Sequence, residues 1–400
     1  MRSITVRYEN FLTYGKQAGR NHRSRSAFAR QINNHFFGGN MATTAQYRLG
    51  DFTFPRGWFM VADASELQDK PLAVRFFGRE LVLYRGKTSG KVTLLDAKCP
   101  HMGTNLAKNT TSYVVRDHVH IDGDGIRCPY HAWRFQPSGK CDDIPGLPQA
   151  RIPEAACVRS WSVHESMGII WVWHDQEGLE PEWDAPSLPE WADSSWVKWK
   201  IDSLGTLPIH GQEIIDNIVD MAHFAPIHGQ DTVEFFENEF RGHQAVQRMV
   251  GIHRTLVHTG QKLRTDTTYH GPGFLLSYMQ GQYPSIILIA NTPVDDGVTR
   301  AWHALLVKSP NAVATAEDTV NAREFQGMSL AAFSQDFEVW SNKEPALTIL
   351  QTKADGPFNL ERLWYKQFFN PRARKQEFLK RVEGVHLSVD NRPVAKAANA

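Results

Sequence analysis

Hydrophobic positions fall into two regimes along this chain. From Phe52 to about Asp175 they come as short runs broken by turns. Leu81–Tyr84 and Val92–Leu95 are β-rich runs joined through Gly86 and Gly90, the pattern of a hairpin. Ile126–Phe135 leads into Pro137-Ser138-Gly139, and Ile169–Trp173 is another apolar run. Short strands at this spacing predict a small β-sandwich or barrel. Glu180–Pro189 carries Pro181, Pro186 and Pro189 and reads as a linker.

The pattern then changes. Ile214, Ile215, Ile218, Met221 and Ala222 recur at helical spacing, so Glu213–Phe224 is expected as a helix that Pro226 ends. Strands are expected at Arg254–His258, Lys262–Tyr269, Phe274–Gln280, Ser285–Asn291 and Thr299–Val307. A long helix is expected from Ala316 to about Lys343, stopped before Pro345, and another over Leu360–Phe368. The expected class is α+β. An N-terminal β-sandwich domain spans 50–178 and a linker 179–200. A second domain spans 201–385, and a tail follows over 386–400. Residues 1–45 read as a flexible or non-native extension upstream of a second start at Met41. The first forty residues are Arg- and Ser-rich with Glu9 as the single acidic residue, a composition that resembles an organelle transit peptide.

Composition narrows the function. The 400 residues carry a formal net charge of +1, which gives no reason to expect nucleic acid or a charged membrane surface as partner. No apolar run approaches the roughly 20 residues that span a bilayer. The four cysteines, Cys99, Cys128, Cys141 and Cys157, are too few for a disulfide framework in so long a chain. They fit a reducing, cytoplasmic setting in which some of them do chemistry.

Two of them sit in matching motifs, Cys99-Pro100-His101-Met102-Gly103 and Cys128-Pro129-Tyr130-His131. Each supplies one thiolate and one imidazole. Two cysteines on one iron and two histidines on the other is the ligand set of a Rieske [2Fe–2S] cluster, in which neutral imidazoles raise the reduction potential. Structural zinc also accepts Cys₂His₂, but its loops usually pair Cys with Cys and His with His. His118 and His120 lie between the motifs as competing ligands. Lys98, Lys108, Arg127 and Arg134 flank them, as a dock for an acidic partner or as solvated surface.

A second constellation is Asn217…Asp220…His223…His228, containing D-x-x-H-x₄-H. Asn217, Asp220 and His223 share one face of the expected helix. Pro226 lets His228 turn back toward the same metal. Two histidines and one carboxylate leave Fe(II) open positions for O₂ and substrate. Either Asp220 or a distant residue supplies the carboxylate. Asp336 is the candidate from afar, with Asp318, Glu324 and Glu338 nearby, and Phe333 and Trp340 flank it at i−3 and i+4 as apolar walls or as core. Asn291 is a further pocket candidate.

Together the two motifs resemble the Rieske non-haem iron ring-hydroxylating oxygenases. Within them the chain looks most like the 3-ketosteroid 9α-hydroxylase oxygenase components, with cholesterol 7-desaturases as relatives. Phe54-Pro-Arg-Gly-Trp58, Arg75-Phe-Phe-Gly78, Asn109-Thr-Thr-Ser-Tyr113, Trp340-Ser-Asn-Lys343 and Asp355-Gly-Pro357 add to the likeness, which covers about Phe54–Phe369. The resemblance implies a helix-grip (START-like) second domain and a homotrimer. It implies Cys99, His101, Cys128 and His131 on the cluster, and His223, His228 and Asp336 on mononuclear iron. Asp220 would carry electrons between the two centres of neighbouring subunits, with Asn217 behind the ligands. Ala132 departs from the Gly that many relatives place after the second histidine. The implied activity is O₂-dependent hydroxylation of a 3-ketosteroid, at the 9α position, in steroid degradation. Desaturation and aromatic dihydroxylation are the alternatives within the family. A Rieske electron carrier without oxygenase activity is the alternative outside it. No G-x-G-x-x-G fingerprint is present, so reductant must come from an NADH-dependent flavin/iron–sulfur reductase.

Overall fold

A computed structural model describes residues 41–254, 257, 260–281 and 284–392. The expected extension over 1–40 and the last residues of the expected tail, 393–400, lie outside these. The N-terminal body is three small antiparallel sheets. One holds β1 (Gly57–Asp63), β10 (Ile169–His174) and β9 (Val163–Ser166). The second is β2 (Leu72–Phe76), β3 (Arg79–Arg85) and β4 (Val92–Asp96), with the hairpin pairing Leu83 to Leu94. The third is β5 (Ile121–Asp122), β6 (Gly125–Arg127), β7 (Arg134–Phe135) and β8 (Cys141–Asp143). A short helix, α1 (Tyr113–Arg116), precedes it.

The C-terminal body is one nine-stranded antiparallel sheet. Its strands are β11 (Trp196–Val197), β12 (Asp202–Leu207), β13 (Gln230–Arg241), β14 (Gln244–His253), β15 (Leu263–His270), β16 (Phe274–Gln280), β17 (Ser285–Asp295), β18 (Val298–Lys308) and β19 (Gly384–Asp390). Helices α2 (Gly211–Ile215), α3 (Ala316–Asn342), α4 (Phe358–Lys366) and α5 (Lys375–Leu379) pack on it.

Alternation along β17 and β18 explains the layering. Ile286, Leu288, Ala290, Trp302, Ala304 and Leu306 face the N-terminal body and join Trp58, Phe59, Trp171 and Trp173 in one shared core. The intervening Ile287, Ile289, Ala301, Leu305 and Val307 face α3, where they meet Ala322, Phe333, Phe337 and Trp340. A period of two thus gives each strand two buried faces. Helix α3 starts at a capping box in which Thr315 and Asp318 satisfy each other's backbone. Among the described residues no helix is long and apolar enough to cross a membrane.

Several expectations need correction. The Glu213–Phe224 helix is broken: α2 runs into a 3₁₀ turn at Asp216–Ile218, and a separate 3₁₀ turn begins at Ala222. The Asp220 carboxylate accepts from the His223 N–H at 3.2 Å, an alternative to the helical ladder, while the Ile218 carbonyl is taken by buried Asn238 Nδ2 at 2.8 Å. Asn217, Asp220 and His223 therefore do not share a helix face. The hairpin β13–β14 escaped the hydrophobic pattern because its outward positions are charged; Arg248 bridges Glu237 (2.7 Å) and Glu239 (2.6 Å) across it. Arg254 and Val257, in the strand expected just beyond, are not in a strand.

The expected boundaries also shift. Ala42, Tyr47 and Leu49 are buried against α4, so the extension expected over 1–45 joins the core before it ends. The stretch 179–200 is strapped down. Glu182 takes Arg56 Nε at 2.8 Å and Lys375 Nζ at 3.0 Å, Trp183 stacks on His243, and β11 enters the large sheet. Strand β19 crosses the 385/386 boundary and pairs with β13.

Candidate metal centres

The two Cys/His motifs fold as the same turn. Cys99 N–H donates to Thr104 O and Gly103 N–H to Cys99 O, both at 2.9 Å. Cys128 N–H donates to Trp133 O (2.8 Å) and Ala132 N–H to Cys128 O (2.9 Å). The thiols point inward and touch, with both cysteines no more than 2% exposed. The imidazoles stand outside, 4.6 Å apart between centroids, and His101 stacks on Trp133 at 4.5 Å. Backbone N–H groups of His101 and Met102 point at the Cys99 sulfur, and those of Tyr130 and His131 at Cys128. The hydrogen bond from Cys99 and these amides pull the Cys128 thiol down to about 6, against burial. Buried sulfurs ringed by amides beneath two outward imidazoles fit a [2Fe–2S] group with two thiolate and two imidazole ligands. His120 is turned away, its Nε2 bonded to Leu106 O at 2.6 Å. Cys141 and Cys157 are free thiols apart from this pair.

The turn needs a left-handed residue before its last position. Gly103 supplies it in one loop (φ +73°) and Ala132 in the other (φ +58°). A Cβ costs about 1–2 kcal/mol in that region, and glycine's extra freedom in the unfolded chain returns about 0.4–1. Ala132→Gly is expected to stabilise the N-terminal body by roughly 0.5–1 kcal/mol, read as a later loss of cluster absorbance on heating. An unchanged or earlier transition would contradict the strain.

The flanking cations are all paired with neighbouring carboxylates, the two lysines at the surface. Lys98 and Lys108 both pair with Glu80, at 2.6 and 2.5 Å, holding its carboxyl down at about 2. Arg127 pairs with Asp122 and Asp143, and Arg134 with Asp122 and Asp142. They do not form a bare basic dock.

The second constellation converges from two distant segments. Ligand atoms of His223, His228 and Asp336 all lie within 4.8 Å of one another. His228 Nε2 is 3.4 Å from Asp336 Oδ2. His223 Nδ1 donates to the main-chain oxygen of Asp220 at 2.5 Å, which leaves Nε2 for a metal. Burial works to lower the His223 pKa, but the Asp220 hydrogen bond and the charges of Asp220 and Asp336 hold it above the ordinary imidazole value. Asp220 itself is held low, burial again being outweighed by His223. Its side chain is 29% exposed, so it faces outward as well as toward His223. The donor set and its open side fit a mononuclear Fe(II) held by two imidazoles and one carboxylate.

Sequence spacing did not reveal what holds this segment in place. A Cβ on Gly356 would lie 1.9 Å from the Val219 carbonyl oxygen, so the loop after α3 presses on the step where α2 breaks. Gly356→Ala is expected to cost roughly 3 kcal/mol, the upper end for overpacking, because the clashing atom is backbone. A denaturation midpoint equal to that of the parent would refute this.

Phe333 and Trp340 are 9% and 7% exposed and close, with Phe337, an aromatic cluster against Leu207, Ile214 and Ala301. Asn291 lies across the sheet from Ala301, its Nδ2 donating to Pro272 O at 3.0 Å and its Oδ1 buried without a partner among the described residues. Asn217 is half-buried on the 3₁₀ turn.

Comparison with known proteins bears on both centres. Residues 57–161 match the Rieske [2Fe-2S] domain, and residues 172–369 match the 3-ketosteroid 9α-hydroxylase C-terminal domain. A probable 3-ketosteroid-9-alpha-monooxygenase oxygenase component of Rhodococcus rhodochrous is 34% identical over 83% of this chain and 85% of its own length. The chain belongs to the Rieske oxygenase family, in its 3-ketosteroid 9α-hydroxylase branch. Membership brings a Rieske cluster and a mononuclear iron that works with O₂. A cholesterol 7-desaturase of Bombyx mori is 28% identical over 79% of the chain and 70% of its own length. Dicamba monooxygenase, solved with 3,6-dichlorosalicylic acid, shares the fold at a TM-score of 0.63 and 17% identity, over 80% of this chain and 98% of that one.

Proposed function

We propose that this chain is the terminal oxygenase of a multicomponent steroid monooxygenase that hydroxylates a 3-ketosteroid at the 9α position. The observation that carries the proposal is the coexistence, in one chain of this family, of the paired Cys/His turns and the His223–His228–Asp336 triad. The balanced reaction takes substrate C–H, O₂, two electrons and two protons to C–OH and water. The electrons come from NADH through a flavin/iron–sulfur reductase. When bound, the two iron groups supply one-electron storage and O₂ activation.

The protein's residues set where that chemistry happens. Cys99, His101, Cys128 and His131 hold the cluster, and His223, His228 and Asp336 hold the second iron. Asp220 fixes the tautomer of His223 and offers its outer side to the exposed His101/His131 tip of a neighbouring chain, with Asn217 behind it. A homotrimer, the assembly that the family resemblance implies, would bring these groups together. Phe333 and Trp340 border the substrate space and keep it apolar, with Asn291 as a polar group at its edge, in a cytoplasmic enzyme.

The test is reconstitution with NADH, such a reductase and a panel of 3-ketosteroids, with products identified by mass. One added oxygen at C9 is expected. Loss of two hydrogens would assign desaturation, and a gain of two hydroxyls dihydroxylation. Reduction of the cluster with no product from any steroid would leave an electron carrier.

A further inference from the structure

The triad draws its ligands from two elements far apart in sequence. Asp336 rides on α3, while His223 and His228 follow α2. Ile214 of α2 packs among Phe333, Phe337 and Trp340 of α3, and a polar contact adds to this just beyond the last turn of α3. Glu213, on α2 and 6% exposed, meets Lys343, the residue that closes α3. The same carboxylate accepts from the Tyr47 hydroxyl, and from the Ala346 N–H at 2.8 Å in the loop after α3. Its charge is thus fully bonded although it lies out of water. Burial and the Glu213 charge push the Tyr47 phenol up, so it stays protonated as a donor.

The geometry favours transmission to the iron site. Lys343 stands seven residues beyond Asp336 on the same side of α3, about 10 Å along a helix rising 1.5 Å per residue. Between Glu213 and His223 the chain is held by buried Ile214, Ile215, Ile218 and Val219 and by the Asp216–Arg362 pair. A shift of α3 along α2 would move one carboxylate relative to two imidazoles.

We propose that the ion pair between buried Glu213 and the exposed Lys343, braced by Tyr47 and the Ala346 amide, is a positioning strut that sets the separation of Asp336 from His223 and His228. This rests on the iron-binding reading of the triad. The strut touches no substrate and acts only through the ligands.

The test uses full-length, cluster-loaded protein stripped of mononuclear iron and titrated anaerobically with ferrous iron alone. Nitric oxide then reports the electron paramagnetic resonance line shape of the bound iron. Lys343→Met is expected to weaken iron binding about 10- to 100-fold, the range for residues behind metal ligands, and to broaden the signal while the cluster spectrum stays intact. Lys343→Arg, which keeps the ion pair, is expected to restore both. The double variant Glu213→Gln/Lys343→Met buries no lone charge, so it guards against simple misfolding, and it is expected to bind iron as weakly as the single variant. Parental affinity and line shape in the double variant would overturn the strut, as would an Arg variant as weak as Met. His223→Ala separates the two readings. If the parent and His223→Ala take up the same iron, the triad itself is misread; if only the parent does, the strut variants judge the strut.

Discussion

Replacing His223 by alanine is expected to abolish steroid hydroxylation while leaving the visible spectrum of the cluster unchanged. Altering a residue behind a metal ligand already costs 10- to 100-fold, so removing one of three ligands should cost more than about 100-fold in turnover. The two centres share no side chain: one is built on the turns at Cys99 and Cys128, the other on the segment after α2 and on α3. Single-turnover product formation and cluster absorbance, measured on one sample, check this. Retained turnover would remove His223 from the iron, and a bleached cluster would show that the two sites are not independent.

The second large effect concerns the carboxylates behind the site. Asp216 lies buried beside Glu361, and Arg362 grips it with Nε at 3.0 Å and Nη2 at 2.6 Å. Burial raises both carboxyl pKa values, Arg362 opposing it at Asp216 and the Asp216 charge adding to it at Glu361. A carboxyl whose folded pKa is raised stabilises the fold fully below its unfolded value of about 4, and loses that contribution as pH climbs through the folded value. Arg362→Met removes the opposing cation, so both groups rise further. The expected cost is about 3–5 kcal/mol at pH 8, the range for a buried charge left without its partner, and clearly less at pH 5, where the pair takes up protons. Urea unfolding at the two pH values checks the sign. A cost equal at both, or larger at pH 5, would mean the pair does not titrate in the fold.

Sequence and structure divide unevenly over the candidate site. The paired Cys/His turns were legible because each is local: five residues bring thiol and imidazole together with no help from distant chain. Ala132 was also legible as a departure, but only its φ of +58° shows what the departure costs. The triad was half legible. His223 and His228 stand five apart, yet the helix face expected to unite His223 with Asn217 and Asp220 does not exist, because the Asp220 carboxylate takes the His223 N–H and a separate 3₁₀ turn begins at Ala222. Asp336 was one acidic residue among several on a long helix. What distinguishes it is its position between Phe333, Phe337 and Trp340 on the buried side, a matter of packing. Lys98, Lys108, Arg127 and Arg134 read in one dimension as a dock or as solvated surface, and in three they are paired with Glu80, Asp122, Asp142 and Asp143, the two lysines staying exposed.

By itself the sequence determined the chemistry on offer: which donor atoms exist, which of them are joined by short spacing, and which strands carry two apolar faces. Those properties depend on covalent neighbours and on side-chain period, both written in the order of residues. Only the tertiary structure decided which carboxylate meets His223 and His228, and how Glu213 and Lys343 tie the two elements together. Such contacts join residues more than a hundred positions apart. They are set by how α3 and the large sheet pack, a cooperative outcome of the whole core that no local pattern encodes.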